Sequence, residues 1–217
     1  MKFLQILISI LFISLTGCVN SVDNQTPRNE FVNTEVDTYK LDIESTRLKA
    51  KEASKFCKSK KMNEEYCVLI DMKIHSGRKR LFVWDFKKDT IIHSFLVGHG
   101  CCDSRWGSDL TKEKPVFSNI EESHCSSLGK YKIGERGYSS WGVNVKYLLH
   151  GLEASNKNAL KRVIVLHSWE VVSDDEVYPN GTPEGWGCPT LSNNSFKVLD
   201  KMLKVSKRPV LMWIYNN

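Results

Sequence analysis

Residues 162–191, RVIVLHSWEVVSDDEVYPNGTPEGWGCPTL, constrain this chain more than any other stretch. The apolar run 163–166 has the length of a short buried strand, and such a strand delivers His167 at its end. Further on, Cys188 sits in Gly-Trp-Gly-Cys-Pro, a tight loop. A thiol attacks only as thiolate, and a neighbouring imidazole stabilises that form and later returns the proton to a leaving group. Strand end and loop together therefore offer a base and a nucleophile for acyl transfer, and if the two form an ion pair at rest, thiolate reactivity persists below the pKa of a free cysteine. Gly185 and Gly187 allow unusual backbone angles and close substrate approach, so peptide N–H groups can face a developing oxyanion. Pro189 has no N–H, which leaves Gly187 and Cys188 as the expected donor pair.

Taken singly, a cysteine or a histidine is more often structural than catalytic. The context reverses that default: Cys188 lies in a Gly-rich loop and His167 closes an apolar strand, where active-site groups gather. His150, in LLHGLE, is the rival base, although a histidine at a strand end is more often packed or hydrogen-bonded. Trp141, Trp169 and Trp186 are candidates for the cleft wall against the default of core packing.

HSWEVV followed by EGWGCPTL resembles the His and Cys motifs of the L,D-transpeptidase (YkuD-like) catalytic domain family, in its murein L,D-transpeptidase branch with a Trp-Gly-Cys-Pro signature. VGHG at 97–100, FSN at 117–119, SSLGKYKIGE from Ser126 and HGLEASNKNALKR from His150 fit the same branch in order, so the similarity spans roughly residues 67–215. The resemblance implies a mainly β fold, a β-sandwich or mixed sheet with a few short helices. It also implies Cys188 as nucleophile, His167 as acid–base, the Ser168 backbone carbonyl as the group orienting the imidazole, and His99 on the cleft floor. The implied substrate is the peptide stem of bacterial peptidoglycan, attacked at the bond between its third residue and D-Ala. An amine acceptor would make a transpeptidase and water an L,D-carboxypeptidase; a non-catalytic wall-binding lipoprotein is the competitor from another class. Two departures stand out. Gly185 replaces a common Ser or Thr, removing a hydroxyl near the thiol, and Pro189 and Thr190 stand where the wider family has Arg. A papain-like peptidase is disfavoured by order, since there the Cys precedes the His.

The remaining sequence places this domain in a compartment. Residues 1–17 combine one Lys with an apolar run too short for a comfortable membrane span, which reads as a signal peptide. Leu15-Thr16-Gly17-Cys18 resembles a bacterial lipobox, making Cys18 the expected lipidation site. Residues 18–40 read as a polar, flexible tether and 41–66 as a helical lead-in, in which Leu41, Ile43, Leu48, Ala53 and Phe56 mark the apolar face. Residues 67–217 form the catalytic domain. The expected protein is thus exported to the periplasmic face, lipid-anchored to the inner or outer membrane, and monomeric.

Within the domain, strands are expected at 68–74, 80–86 and 90–97 as a meander, at 130–133, from 141 towards 150, and at 209–215. A helical turn is expected at 156–161, and a helix capped by Ser192 or Asn193 should bury Phe196, Leu199, Met202 and Leu203. Setting aside Cys18 and Cys188, five of the seven cysteines remain. An oxidising compartment favours pairing Cys57 with Cys67 and Cys125 with Cys101 or Cys102. His99, Cys101, Cys102, His124 and Cys125 are zinc-type ligands, but adjacent cysteines rarely reach one tetrahedral ion and no metal-binding pattern appears, so no metal and no cofactor are expected. The net charge of +6 suits carboxylate-rich stems better than nucleic acid, which an exported lipoprotein does not routinely meet.

Overall fold

The computed structural model describes residues 39–216; the expected signal segment, Cys18 and the tether as far as residue 38 lie outside the described residues. Residues 41–217 form one compact unit. Its elements are α1 (Ile43–Ser59), β1 (Tyr66–Asp71), β2 (Leu81–Asp85), β3 (Thr90–Phe95), β4 (Gly129–Tyr138), β5 (Val145–Gly151), β6 (Val165–Ser168), β7 (Thr190–Leu191), α2 (Asn193–Val205) and β8 (Val210–Tyr215).

The eight strands make one mixed sheet in the order β3-β2-β1-β8-β4-β5-β6-β7. β1 runs parallel to β8 and β6 parallel to β7, while the other neighbours are antiparallel. The two edges meet: just past β3 the Gly98 N–H donates to the Thr190 carbonyl at 2.8 Å, so the sheet curls into a nearly closed barrel. The seam of this closure is where β6 and β7 carry the candidate site.

The central strands read as continuous apolar runs because both faces are covered. Along β1 and β8, Val68, Ile70, Met212 and Ile214 point to the main core, which α2 closes with Phe196, Leu199 and Leu203. Cys67, Leu69, Leu211 and Trp213 point the other way, under α1. Ser192 caps α2, its hydroxyl accepting from the Ser195 N–H at 3.1 Å.

Four local expectations change. The fully buried face of α1 is Thr46, Ala50, Ala53 and Cys57; of the expected apolar face, Ala53, Leu41 and Phe56 pack on the core while Ile43 and Leu48 are exposed, since small residues face the sheet. β6 starts at Val165, because Val163 is exposed and left-handed, with φ 55°. β5 starts at Val145, after a turn in which Gly142 and Asn144 take φ 56° and 60°. Cys102 is disulfide-bonded to Cys125, but Cys57 and Cys67 stay free thiols between α1 and the sheet, acting as small apolar side chains. Burial pushes Cys57 up to about 12 and Cys67 well above its usual value.

Candidate active site

β6 and β7 lie in parallel register, with His167 opposite Thr190. That register carries the chain from the end of β6 to the loop before β7, and His167, Gly185, Trp186 and Cys188 line one cleft. Trp106, Trp141 and Trp169 form its aromatic wall, with Trp106 and Trp169 4.9 Å apart between ring centroids. His124 stacks on Trp186 at 5.3 Å. Trp106 escaped the sequence reading: nothing in Arg105-Trp106-Gly107 marks it, and only the fold of the long connection before β4 brings it here.

The His167 ring is held by its neighbour. Nδ1 lies 2.9 Å from the Ser168 carbonyl, and since a carbonyl only accepts, Nδ1 carries the hydrogen and Nε2 keeps its lone pair. The Ser168 hydroxyl in turn accepts from the Val143 N–H at 2.9 Å. A side chain at Gly142 would meet that hydroxyl, so the turn before β5 needs glycine to pack here. Burial lowers the imidazole below its usual value, opposed by its bond to Ser168, and the ring is neutral at neutral pH.

Half-buried Cys188 takes the N–H of Val165 at 3.4 Å and makes a long 3.8 Å contact to the Val163 carbonyl. Burial pushes the thiol up; the Val165 N–H, Arg162 and Lys146 pull it down by less. Both shifts favour the uncharged forms of the two side chains. No thiol–imidazole hydrogen bond joins them among the described residues. Among the described residues the Gly187 and Cys188 N–H groups take part in no loop backbone hydrogen bond. Gly187 has φ 97°, and a Cβ there would come within 2.5 Å of the Cys125 carbonyl. At Gly185 an added Cβ meets nothing within 4 Å, so the missing hydroxyl reflects no steric demand.

His99 does not line the cleft: it is fully buried beneath the nucleophile loop, a correction that comes from its charged neighbours. Arg80 Nη2 donates to His99 Nδ1 at 2.8 Å, which leaves the hydrogen on Nε2, donated to Thr111 Oγ1 at 2.8 Å. Thr111 Oγ1 donates to Glu184 Oε1 at 3.0 Å, and Glu184 also accepts from the Thr111 N–H and the Ser108 hydroxyl. Glu184 directly precedes Gly185, whose N–H donates to the His99 carbonyl at 2.8 Å. A buried polar chain thus anchors the loop from below, and periodicity alone could not have revealed it, since its members are far apart in sequence.

Burial, then the Arg80 charge, holds the His99 imidazole well below its usual range. The unfolded chain therefore binds a proton that the folded chain refuses, and stability present above pH 6.5 is lost as pH falls below it. From pH 7 to pH 5 His99 should lower the stability, and His75 and His167, also lowered, act with the same sign. Urea unfolding at both pH values checks this; equal stabilities would contradict it.

His150 is elsewhere, with Nε2 2.9 Å from Glu135 and no place on the cleft. Among the described residues no group of three or more His, Cys, Asp or Glu is arranged to hold a metal ion, and the Cys102–Cys125 disulfide takes up two of the zinc-type ligands.

A thiol, an imidazole with its base nitrogen free and a glycine-lined loop are the parts that thiol-based acyl transfer requires. The chain belongs to the L,D-transpeptidase catalytic domain family, whose profile matches residues 37–215. No curated protein matches the chain. Among solved structures, it is similar to the helical cell shape determining protein Pgp2 of Campylobacter jejuni, at 15% identity over 70% of this chain and 48% of that one, with a TM-score of 0.42. It is also similar to the Ldtfm-avibactam carbamoyl enzyme, at 8% identity over 71% of this chain and 50% of that one, with a TM-score of 0.41. The chain spans about half the length of each.

Proposed function

We propose that this chain is an exported, lipid-anchored transpeptidase of the Trp-Gly-Cys-Pro branch, acting on peptidoglycan stem peptides. The observation that carries the reading is the meeting of Cys188 and His167 on one cleft, with His167 Nδ1 tied to Ser168 so that Nε2 is the free base. The thiol proton passes to His167 Nε2, and sulfur attacks the carbonyl that joins the third stem residue to D-Ala. The N–H groups of Gly187 and Cys188 face the oxyanion. The C–N bond then breaks, the departing D-Ala amine takes the proton from His167, and a thioester remains. An acceptor amine attacks the thioester, its proton returns through His167 to sulfur, and a new amide leaves. The aromatic wall of Trp106, Trp141 and Trp169 shields this chemistry from water on one side.

Incubating the protein with a tetrapeptide stem tests this. D-Ala release and a mass increase on Cys188 are expected, with amide products when a second amine is supplied. Tripeptide alone would make the enzyme a carboxypeptidase, and no adduct at all would leave a wall-binding protein. Export and anchoring rest on residues 1–18, and palmitate labelling that survives Cys18→Ser would remove the anchor from this reading.

A further inference from the structure

Arg162 lies in the turn that leads into β6, one residue before the strained Val163. Its half-buried guanidinium donates to four acceptors: the Ser118 and Cys125 carbonyls at 2.9 and 2.6 Å, and the Ser127 and Ser123 hydroxyls at 2.6 and 3.2 Å. All four are neutral, and no carboxylate pairs with it among the described residues. A cation held half out of water without an anion carries a desolvation cost that neutral acceptors only partly offset.

The surroundings tie Arg162 to the nucleophile from two sides. Cys125, whose carbonyl it grips, is the residue against which Gly187 packs, and the adjacent Ser126 hydroxyl donates to the Gly187 carbonyl at 3.1 Å. On the other side the Val163 carbonyl lies 3.8 Å from the Cys188 sulfur. A β-branched residue with φ 55° is strained, and here the strain sits between cation and thiol. The sulfur itself touches the Val165 N–H and the Val163 carbonyl, and His167 shares its cleft; the other ionisable groups whose charge is felt there are Arg162, Lys146 from β5 and Tyr131 from β4, whose hydroxyl burial holds protonated. The positive charges of Arg162 and Lys146 both favour the thiolate, against the larger effect of burial.

We propose that Arg162 is the fixed counter-cation of the Cys188 thiolate, a positive charge held in place by four neutral acceptors and left without an anion until the thiol gives up its proton. The proposal rests on Cys188 being the nucleophile and deepens that reading. It divides the labour at the site: His167 moves the proton, and Arg162 stabilises the charge left behind. Arg162 is then a positioning residue that acts through the sulfur, and its planar fork suits it to be held rigidly.

Alkylation of Cys188 by iodoacetamide between pH 6 and pH 10, read by peptide mass spectrometry on the full chain, tests this. Arg162→Gln should move the thiol's half-ionisation up by about one pH unit, slowing alkylation at pH 8 by about tenfold, while Arg162→Lys stays within a few tenths of wild type. His167→Ala should titrate close to wild type, because a neutral imidazole supplies no charge. Circular dichroism and the melting temperature confirm folding. Superimposable profiles for wild type and Arg162→Gln would overturn the proposal. So would equal shifts in the Gln and Lys variants, which would assign the effect to lost hydrogen bonds, or a shift in His167→Ala as large as that in Arg162→Gln. Should Arg162→Gln not fold, Arg162→Met takes its place with the same expected upward shift, and a Met profile superimposable on wild type overturns the proposal. Alkylation needs no turnover, so absence of an acyl adduct with the tetrapeptide stem would sink the transpeptidase reading separately.

Discussion

Cys188→Ser is expected to lower turnover of tetrapeptide stems by at least about 10³-fold while the protein keeps its fold. The exchange of sulfur for oxygen barely alters volume, and a hydroxyl can still take the Val165 N–H that the sulfur now accepts. What changes is ionisation. A serine hydroxyl loses its proton far less readily than a thiol, and the base that shares the cleft is an imidazole that burial has made weaker than usual. Arg162 and Lys146 lower the thiol only in part, so neither offers an alkoxide enough stabilisation. Release of D-Ala, measured with the melting temperature of the same sample, separates loss of chemistry from loss of structure. A variant that melts like wild type and keeps more than a few per cent of its rate would remove Cys188 from the mechanism.

His167→Ala is expected to cost between about 10² and 10⁴ in kcat/KM, the usual contribution of a positioned acid–base group. The pH dependence carries the sharper expectation. His167 works as a base only when neutral, and burial has lowered its proton affinity, so wild-type activity should fall on the acid side at a pH below the ordinary imidazole value. Removing the ring should erase that acid limb. The residual rate should instead climb steadily with pH, following ionisation of a thiol that burial has raised. Rates with tetrapeptide stem from pH 5 to pH 9 distinguish the two profiles. An acid limb that persists unchanged in His167→Ala, or that disappears in His150→Ala, would assign the base elsewhere.

These two residues were legible because their local context is encoded in neighbours along the chain. Four consecutive apolar residues before a histidine announce a strand end, and two glycines around a cysteine announce a backbone that bends tightly. Ser192 as a helix cap and the alternating burial of β1 and β8 belong to the same category, since capping and strand pleating depend on residues a few positions apart. Of the apolar face expected on α1, Ala53, Leu41 and Phe56 pack on the core and Ile43 and Leu48 are exposed, because the sheet lies closest to the small side chains of Ala50, Ala53 and Cys57.

The chain's own sequence therefore determined the mainly β class, the order of most elements, and the strand end and loop that carry His167 and Cys188. Tertiary structure alone decided that one sheet curls until Gly98 meets Thr190, that Cys125 bonds to Cys102 while Cys57 and Cys67 stay thiols, and that Trp106 joins the cleft. It alone decided the charges too. His99 is buried between Arg80 and Thr111, Glu184 hangs beneath the loop, and Arg162 stands near the thiol without a carboxylate among the described residues. The reason is physical: propensity and periodicity act over a few residues, whereas desolvation and Coulomb interaction depend on distances in space between groups far apart in the chain.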